Sequence, residues 1–353
     1  LEQRKSLTDV HAVLIDPALP PPPIDAALME SIRSCAVAVR AARERGAGVI
    51  LMYGAHLLRN GAPLILARLM ERGWLTHLAT NGAGTIHDWE YAWLGRSTES
   101  VRENVATGSF GAWDETGRNL HVAMMAGALH GDGYGVSLGR FIHEDGVDLP
   151  AANELRAAIA QDPANPLTAA RADLLRAMET HAVPEGRYAV NHRWKQASIL
   201  ATAYRLGVPC TVHPGIGYDI IANHPMFNGA VIGRAAEMDF RLFGNSVETL
   251  EGGVLLSVGS AIMAPQVFEK SLSCVNNLRL GAGRHIVRGL SLYVVDLQDG
   301  GGWDWTQGEP PKSNPAYYLR FNKSFARMGG ALHYLQCDNR AFAHHLLHVL
   351  EGS

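Results

Sequence analysis

Short apolar runs alternate with longer stretches of helical spacing along most of this chain, and that alternation limits the folds open to it more than any other feature. Strands separated by helices cannot close into hairpins; they pair in parallel, and a parallel sheet needs helices on both faces to bury it. The pattern therefore predicts an α/β fold with a largely parallel, Rossmann-like sheet.

The spacing places a helix over Met29 to Arg45, stopped by Gly46 and Gly48, and a strand over Val49 to Met52. A helix over Leu64 to Arg72 and an apolar run at Leu75, Leu78 and Ala79 complete a βαβ unit. Alternation resumes with a helix near Lys195 to Arg205, a strand Cys210 to Val212 and a helix from about Arg234 to Leu250. Then follow strand Val254 to Val258, helix Pro265 to Asn276, strands Leu292 to Val295 and Leu332 to Leu335, and a closing helix Arg340 to Leu350. The chain is read as a single domain over 1–353, with an N-terminal helical segment over about 1–46. The stretch 98–161, with Gly-rich turns and a helix over Ala151 to Ala160, is expected to be an insertion or covering layer.

Ligands of open parallel sheets gather outside the carboxyl ends of the strands. That rule selects Gly54 to Gly61, Asn81 to Glu90, His213 to Pro225, Gly259 to Pro265, Asp296 to Trp305 and Cys337 to Arg340. These segments hold His56, His87, Asp88, His213, Asp219, His224, Asp299, Asp304 and Asp338, more titratable groups than solubility requires. His344 and His345, on the last helix, are expected on a solvated face.

With 353 residues and 47% hydrophobic content the chain can bury a large core, and 31 basic against 34 acidic residues, net −3, offer no field for nucleic acid or an anionic membrane. A small molecule is the expected partner. Four cysteines, Cys35, Cys210, Cys274 and Cys337, lie far apart without a C-x-x-C pair, and no apolar run approaches the roughly 20 residues of a membrane span. A cytoplasmic location is expected.

Two segments carry most of the chemistry. TNGAGTIHDWE, Thr80 to Glu90, joins glycines that let backbone approach a ligand to His87, Asp88 and Glu90. As a dinucleotide fingerprint it lacks the third glycine, yet a glycine turn feeding a helix N-terminus can still bind phosphate through backbone N–H groups. DLQDGGGWDWTQGEPPKSNPAYYLRFNK, Asp296 to Lys323, reads as a long irregular loop whose aromatics (Trp303, Trp305, Tyr317, Tyr318, Phe321) stand beside acids (Asp299, Asp304, Glu309). Such a surface suits an organic cation. It ends at Lys323, where desolvation would favour the neutral amine that imine formation needs.

The order GAHLLRNG, TNGAGTIHDWE, VPCTVHPGIGYDI, EGGVLLSVGSAI, DGGG and NPAYYLRFNK resembles the deoxyhypusine synthase family from about Gly48 to the C-terminus. The resemblance implies a Rossmann-like sheet, NAD as cofactor and a homotetramer. It also implies transfer of a butylamine-type group from a polyamine such as spermidine, carried as a lysine imine, to a protein lysine or, as in homospermidine synthases, to a small amine. On this reading Lys323 falls on the imine-forming lysine, with Pro315 and Phe321 on the proline and tryptophan of the family's P-D-E-A-x-x-W-G-K segment. Asn81, Gly82, Ala83 and Gly84 fall on the loop facing NAD, and His56, Asp219, Gly259, Asp338 and Asn339 are further expected cofactor contacts.

The chain departs from the family in three places. VGSAIMAP, Val258 to Pro265, has no histidine where the family places one; His87 stands for an acid that grips spermidine; Tyr317 stands for a glutamate. Asp88, Asp299, Asp304, Glu309, Tyr317 and Phe321 are then the expected substrate contacts, and His87 or His213 the general base. A second reading takes His56, His87 and His213 as ligands of a divalent metal in a hydrolase or lyase.

Overall fold

The computed structural model describes residues 1–352. In chain order its main strands are β1 (Val49–Tyr53), β2 (His77–Thr80), β3 (Cys210–Val212), β4 (Val254–Val258), β5 (Ser291–Asp296) and β6 (Ala331–Gln336). The main helices are α1 (Ala26–Glu44), α2 (Pro63–Glu71), α3 (Gly82–Leu94), α4 (Asp114–Ala128), α5 (Tyr134–His143), α6 (Ile199–Leu206), α7 (Gly229–Val247), α8 (Met263–Gly281), α9 (Arg320–Ala326) and α10 (Asn339–Glu351). The fold is α/β and Rossmann-like.

The chain divides into two compact units, Leu1–Val13 with Gly82–Asp239, and Leu14–Asn81 with Phe240–Ser353, in place of the single domain expected. Within the second unit the strands run in the order β6-β5-β4-β1-β2, every neighbouring pair parallel. β1 (VILMY) and β4 (VLLSV) are buried at every position, as continuous apolar runs must be when helices cover both faces. Ile50, Met52, Leu255, Leu292 and Val294 face a core completed by Phe268, Phe321 and Phe325. α1 lies against β1 and β4 and presents Ile32, Cys35, Ala36 and Val39 as its buried stripe. From β1 the chain steps outward to β2; from β4 it steps the other way, to β5 and β6. The winding therefore reverses between β1 and β4, and their register, Tyr53 opposite Val258, brings Gly54 and Gly259 out side by side.

In the first unit, the stretch expected to be a covering layer is helical and belongs to the unit's own core. Leu120, Val122, Met124, Leu138, Phe141 and Ile142 of α4 and α5 are all fully buried or nearly so. A short antiparallel ladder pairs Gly146–Leu149 with Gly186–Ala189. The last helix also differs from expectation. His344 and His345 are 2% and 5% exposed, and His345 Nε2 lies 2.7 Å from the Pro22 carbonyl. A proline-rich segment covers the face that the histidines' polarity had suggested was wet.

Candidate functional site

At the strand ends of the second unit, two loops approach until only glycine fits. A Cβ on Gly54 would lie 2.0 Å from the Gly259 carbonyl oxygen, and Gly259, at φ +61°, would drive a Cβ to 2.3 Å from the Asn339 side-chain nitrogen. Gly54 N–H donates to Val258 O at 3.1 Å and Gly259 N–H to Val295 O at 2.9 Å, so each loop is pinned to a neighbouring strand as it leaves its own. Ser260 Oγ accepts from Ala264 N–H in the first turn of α8 at 3.2 Å. Asp338 caps α10, accepting from Arg340 and Ala341 N–H at 3.0 Å each, and so fixes the backbone of its neighbour Asn339. The Asn339 side-chain oxygen is buried without a hydrogen-bond partner. Of the expected cofactor contacts, Gly259, Asp338 and Asn339 thus come together, beside Gly54 and Ser260. Gly54 could have been singled out earlier, because it ends a fully apolar run at the first of the strands. His56 is largely exposed on the short helix Ala55–Arg59, and partial desolvation of its ring, then the Arg59 charge, lower its pKa.

The first unit holds a separate group. Gly82, opening α3, faces the Asp219 carboxylate so closely that a Cβ would lie 2.2 Å from Oδ2. Gly215 N–H donates to the same oxygen at 2.6 Å. Burial outweighs that hydrogen bond and holds the Asp219 carboxyl up at about 6. Gly84 is buried in the same first turn and Ala83 is half-buried beside it; Asn81, half-buried, closes the preceding segment of the second unit. His87 Nδ1 lies 2.8 Å from Ser97 Oγ, which donates to Glu90 at 2.6 Å, and Glu90 takes a bidentate pair from Arg4 at 2.8 and 2.7 Å. His213 is 8% exposed, with Thr211 Oγ1 3.1 Å from its Nε2, and burial lowers its pKa to about 4. A histidine held neutral to pH 4 can accept a proton but is a weak base at neutral pH.

Asp88, expected at the substrate, is instead a structural cap. It is 2% exposed and accepts from Ser198 Oγ and from Ile199 N–H at 2.7 Å, tying α3 to the start of α6. Its side chain points into the unit because position 88 lies on the buried face of a helix that buries most of its circumference.

The expected substrate loop is more ordered than its composition suggested. It contains two short 3-10 turns, Trp305–Gln307 and Pro315–Tyr318, and Lys323 lies on α9. Asp299 accepts from Gly301 N–H at 2.6 Å and Asp304 from Thr306 N–H at 3.1 Å, so both acids close turns. Hydrogen bonds from Thr306 and Gln307 lower the Asp304 pKa. Glu309 pairs with Arg327 at 2.5 Å, and that bond lowers its pKa. Phe321 and Trp305 are core residues, 7% and 3% exposed, and Trp305 with Trp303 and Asp304 also lines a cavity of about 260 Å³. Lys323 is half-buried, with Nζ 3.8 Å above the Tyr317 ring.

Among the described residues no group of three or more His, Cys, Asp and Glu side chains could hold a metal ion, His56, His87 and His213 included. No helix among those residues is long and apolar enough to cross a membrane.

No family model matches the chain, and no curated protein matches it. Solved structures show a distant likeness. ArgZ, an arginine dihydrolase from the ornithine-ammonia cycle in Cyanobacteria, is 13% identical with a TM-score of 0.43, over 93% of this chain and 33% of that one. Unliganded AgrE is 13% identical with a TM-score of 0.46, over 94% and 34%. A conserved putative LOR/SDH protein from Methanococcus maripaludis S2 is 13% identical with a TM-score of 0.42, over 97% and 73%. The chain spans about a third of the length of ArgZ and AgrE. Likenesses this distant assign no activity, and the functional reading rests on the residues themselves.

Proposed function

We propose that this chain is an NAD-dependent enzyme of amine chemistry, of the deoxyhypusine synthase type, with the dinucleotide seated on the second unit where the winding reverses between β1 and β4. The observation that carries the reading is the meeting of Gly54 and Gly259 at that reversal, beside a buried Asn339 oxygen with no protein partner. Open parallel sheets bind dinucleotides at such switch points, where glycines allow backbone to come close. An acceptor left without a donor inside a protein costs about 1–3 kcal/mol, so Asn339 has a reason to meet a ribose hydroxyl.

When bound, NAD supplies the acceptor for a hydride from the carbon beside the substrate nitrogen. Asn339 would hold a ribose hydroxyl, oriented by the Asp338 cap, and the two glycine loops would set the depth of the seat. Lys323 would form the new C–N bond: its neutral amine adds to the oxidised carbon, the original amine leaves, and the carbon unit stays on Nζ as an imine. An acceptor amine would then displace the Lys323 nitrogen and take over the carbon unit, freeing Nζ; the reduction that completes the transfer would draw on the hydride that bound NAD holds. Nζ lies 3.8 Å from the Tyr317 ring centroid, and the attack on the oxidised carbon needs the neutral amine. The acceptor is a small amine or a protein lysine, and the assembly a homotetramer.

Titration with NAD, followed by a polyamine panel monitored for NADH absorbance and for a borohydride-trapped adduct, tests both halves. The reading expects micromolar NAD binding lost in Gly54→Ala, and an adduct mapped to Lys323. Absence of NAD binding removes the seat. Binding without NADH or adduct leaves a nucleotide-binding protein and removes the transferase.

A further inference from the structure

The cavity of about 260 Å³ lies wholly within the second unit, beside the middle of β5 and of β6, the strand at the sheet's edge. It forms where the aromatic loop folds back: the 3-10 turn Trp305–Gln307 packs against β6, and Trp303, Trp305 and Tyr334 line the space. Ser31 and Ser34 of α1 line it from the helix layer. Tyr293 and His333, each the third residue of its strand, also line it and stack on one another, with ring centroids 4.7 Å apart and planes 16° from parallel.

Most polar groups of the lining are already engaged. Trp303 Nε1 donates to Gly308 O at 2.9 Å, Trp305 Nε1 to Gly300 O at 3.0 Å and the Tyr334 hydroxyl to Gln298 O, so these rings are pinned and offer the cavity apolar surface. Ser31 Oγ donates to Ala27 O at 3.1 Å. Two groups stand apart. The Tyr293 hydroxyl and the His333 ring nitrogens have no hydrogen-bond partner among the described residues, although Tyr293 is only 4% exposed and His333 is half-buried. Buried polar groups are normally paired, so an unpaired one that lines a cavity points to something outside the protein that pairs it. Burial outweighs the nearby Asp304 charge and lowers the His333 pKa, which keeps its imidazole neutral. A phenol hydroxyl and a neutral imidazole each hold out both a donor and an acceptor.

We propose that this cavity binds an uncharged nitrogen heterocycle of the pyrimidine or purine kind, its polar edge on the Tyr293 hydroxyl and His333 and its flat face against Trp303. An anion would meet no lysine or arginine among the lining residues. A cation would find one carboxylate, Asp304, which is exposed and already accepts three hydrogen bonds, from Thr306 N–H, Thr306 Oγ1 and Gln307 Nε2. What remains open is paired donors and acceptors beside pinned aromatic rings. The edge of such a heterocycle alternates N–H donors with carbonyl or nitrogen acceptors, and its face stacks on aromatic side chains. Rings already held in place lose little freedom on binding. The volume is at the small end for ligand pockets, which suits one or two fused rings. The site is separate from the strand-end dinucleotide seat and does not depend on it.

Isothermal titration of the full chain with uracil, hypoxanthine and adenine, against methyl glucoside, tetramethylammonium and inorganic phosphate, tests it. At least one base is expected to bind one site per chain, at least tenfold tighter than any control, and to bind equally well with and without saturating NAD. Tyr293→Phe, which removes a single oxygen from the core, and His333→Phe, which keeps a flat ring at a half-exposed position, should each weaken that binding at least tenfold and leave NAD affinity unchanged. Four results would each overturn the assignment: no base bound at millimolar concentration, a control bound as tightly, a base displaced by NAD, or an affinity unmoved by both Tyr293→Phe and His333→Phe.

Discussion

Gly54 and Gly82 follow consecutive strands, and both occupy places where a Cβ would collide, yet with different objects. Gly54 meets a backbone carbonyl, 2.0 Å from its would-be Cβ; Gly82 meets the carboxylate of Asp219 at 2.2 Å. A carbonyl held at a strand end cannot yield, whereas a carboxylate on a side chain can swing. The first glycine is there for how two loops cross, the second for what a titratable group does. Similar glycine signals in sequence thus mark a packing constraint in one unit and a charged neighbour in the other.

The largest expected effect separates them directly. Gly54→Ala should cost about 3 kcal/mol or more, the upper range for overpacking against groups that cannot move, while Gly82→Ala should cost roughly 1 kcal/mol. Urea denaturation of both variants measures the gap. Equal losses would mean that Asp219 is as fixed as backbone and that the contrast is false.

Next in size is the dependence of stability on pH. Burial holds the carboxyls of Asp88 and Asp239 up at about 7, and Asp219 at about 6. The folded chain therefore binds these protons more tightly than the unfolded chain. The stabilisation is complete below the unfolded carboxyl range near 4, and it is lost as pH rises through 6 to 7. Unfolding free energy should fall by roughly 1 kcal/mol per pH unit for each acid, from pH 4 to about 7 for Asp88 and Asp239 and to about 6 for Asp219. Asp88→Asn and Asp239→Asn should each flatten that slope, read from urea midpoints at pH 5, 6 and 7. Such a slope belongs to the buried carboxyls of the first unit.

A smaller effect tests what Gly82 faces. Removing the carboxylate should relieve the collision, so Asp219→Ala is expected to rescue Gly82→Ala, with a coupling of about 1–2 kcal/mol in the double-mutant cycle. No coupling would mean that the first turn of α3 shifts as a whole, and that Asp219 has no particular hold on Gly82.

The sheet was legible because its strands are buried on both faces, where continuous apolar runs leave little alternative. Cys210–Val212 and Val254–Val258 fall where the runs placed them. The division into two units was not, since each unit is built from two segments far apart in the chain and no linker marks the crossings. At the site, Gly259, Asp338 and Asn339 could be selected from their places after strands. The role of Asp88 could not, because a cap and a ligand contact look the same until the partner, here Ser198 and Ile199 some 110 residues away, is known. His344 and His345 failed for a related reason: two histidines on one helix read as a wet face, and the segment that covers them lies over 300 residues earlier.

The smallest expected effect on stability concerns Lys323 and bears most on function. A cation over an aromatic face at a half-exposed position contributes about 0.5–1 kcal/mol, and arginine preserves that stacking. Lys323→Arg should therefore leave the urea midpoint unchanged within about 0.5 kcal/mol and NAD binding unchanged, yet abolish any borohydride-trapped adduct, because a guanidinium cannot form the imine. Tyr317→Leu should do the reverse: it removes the ring beneath Nζ, costs about as much as the stacking contributed, and leaves adduct formation intact. If Lys323→Arg still gave the adduct, the carbon unit would rest on another lysine, and the aromatic ring beneath Lys323 would be packing alone.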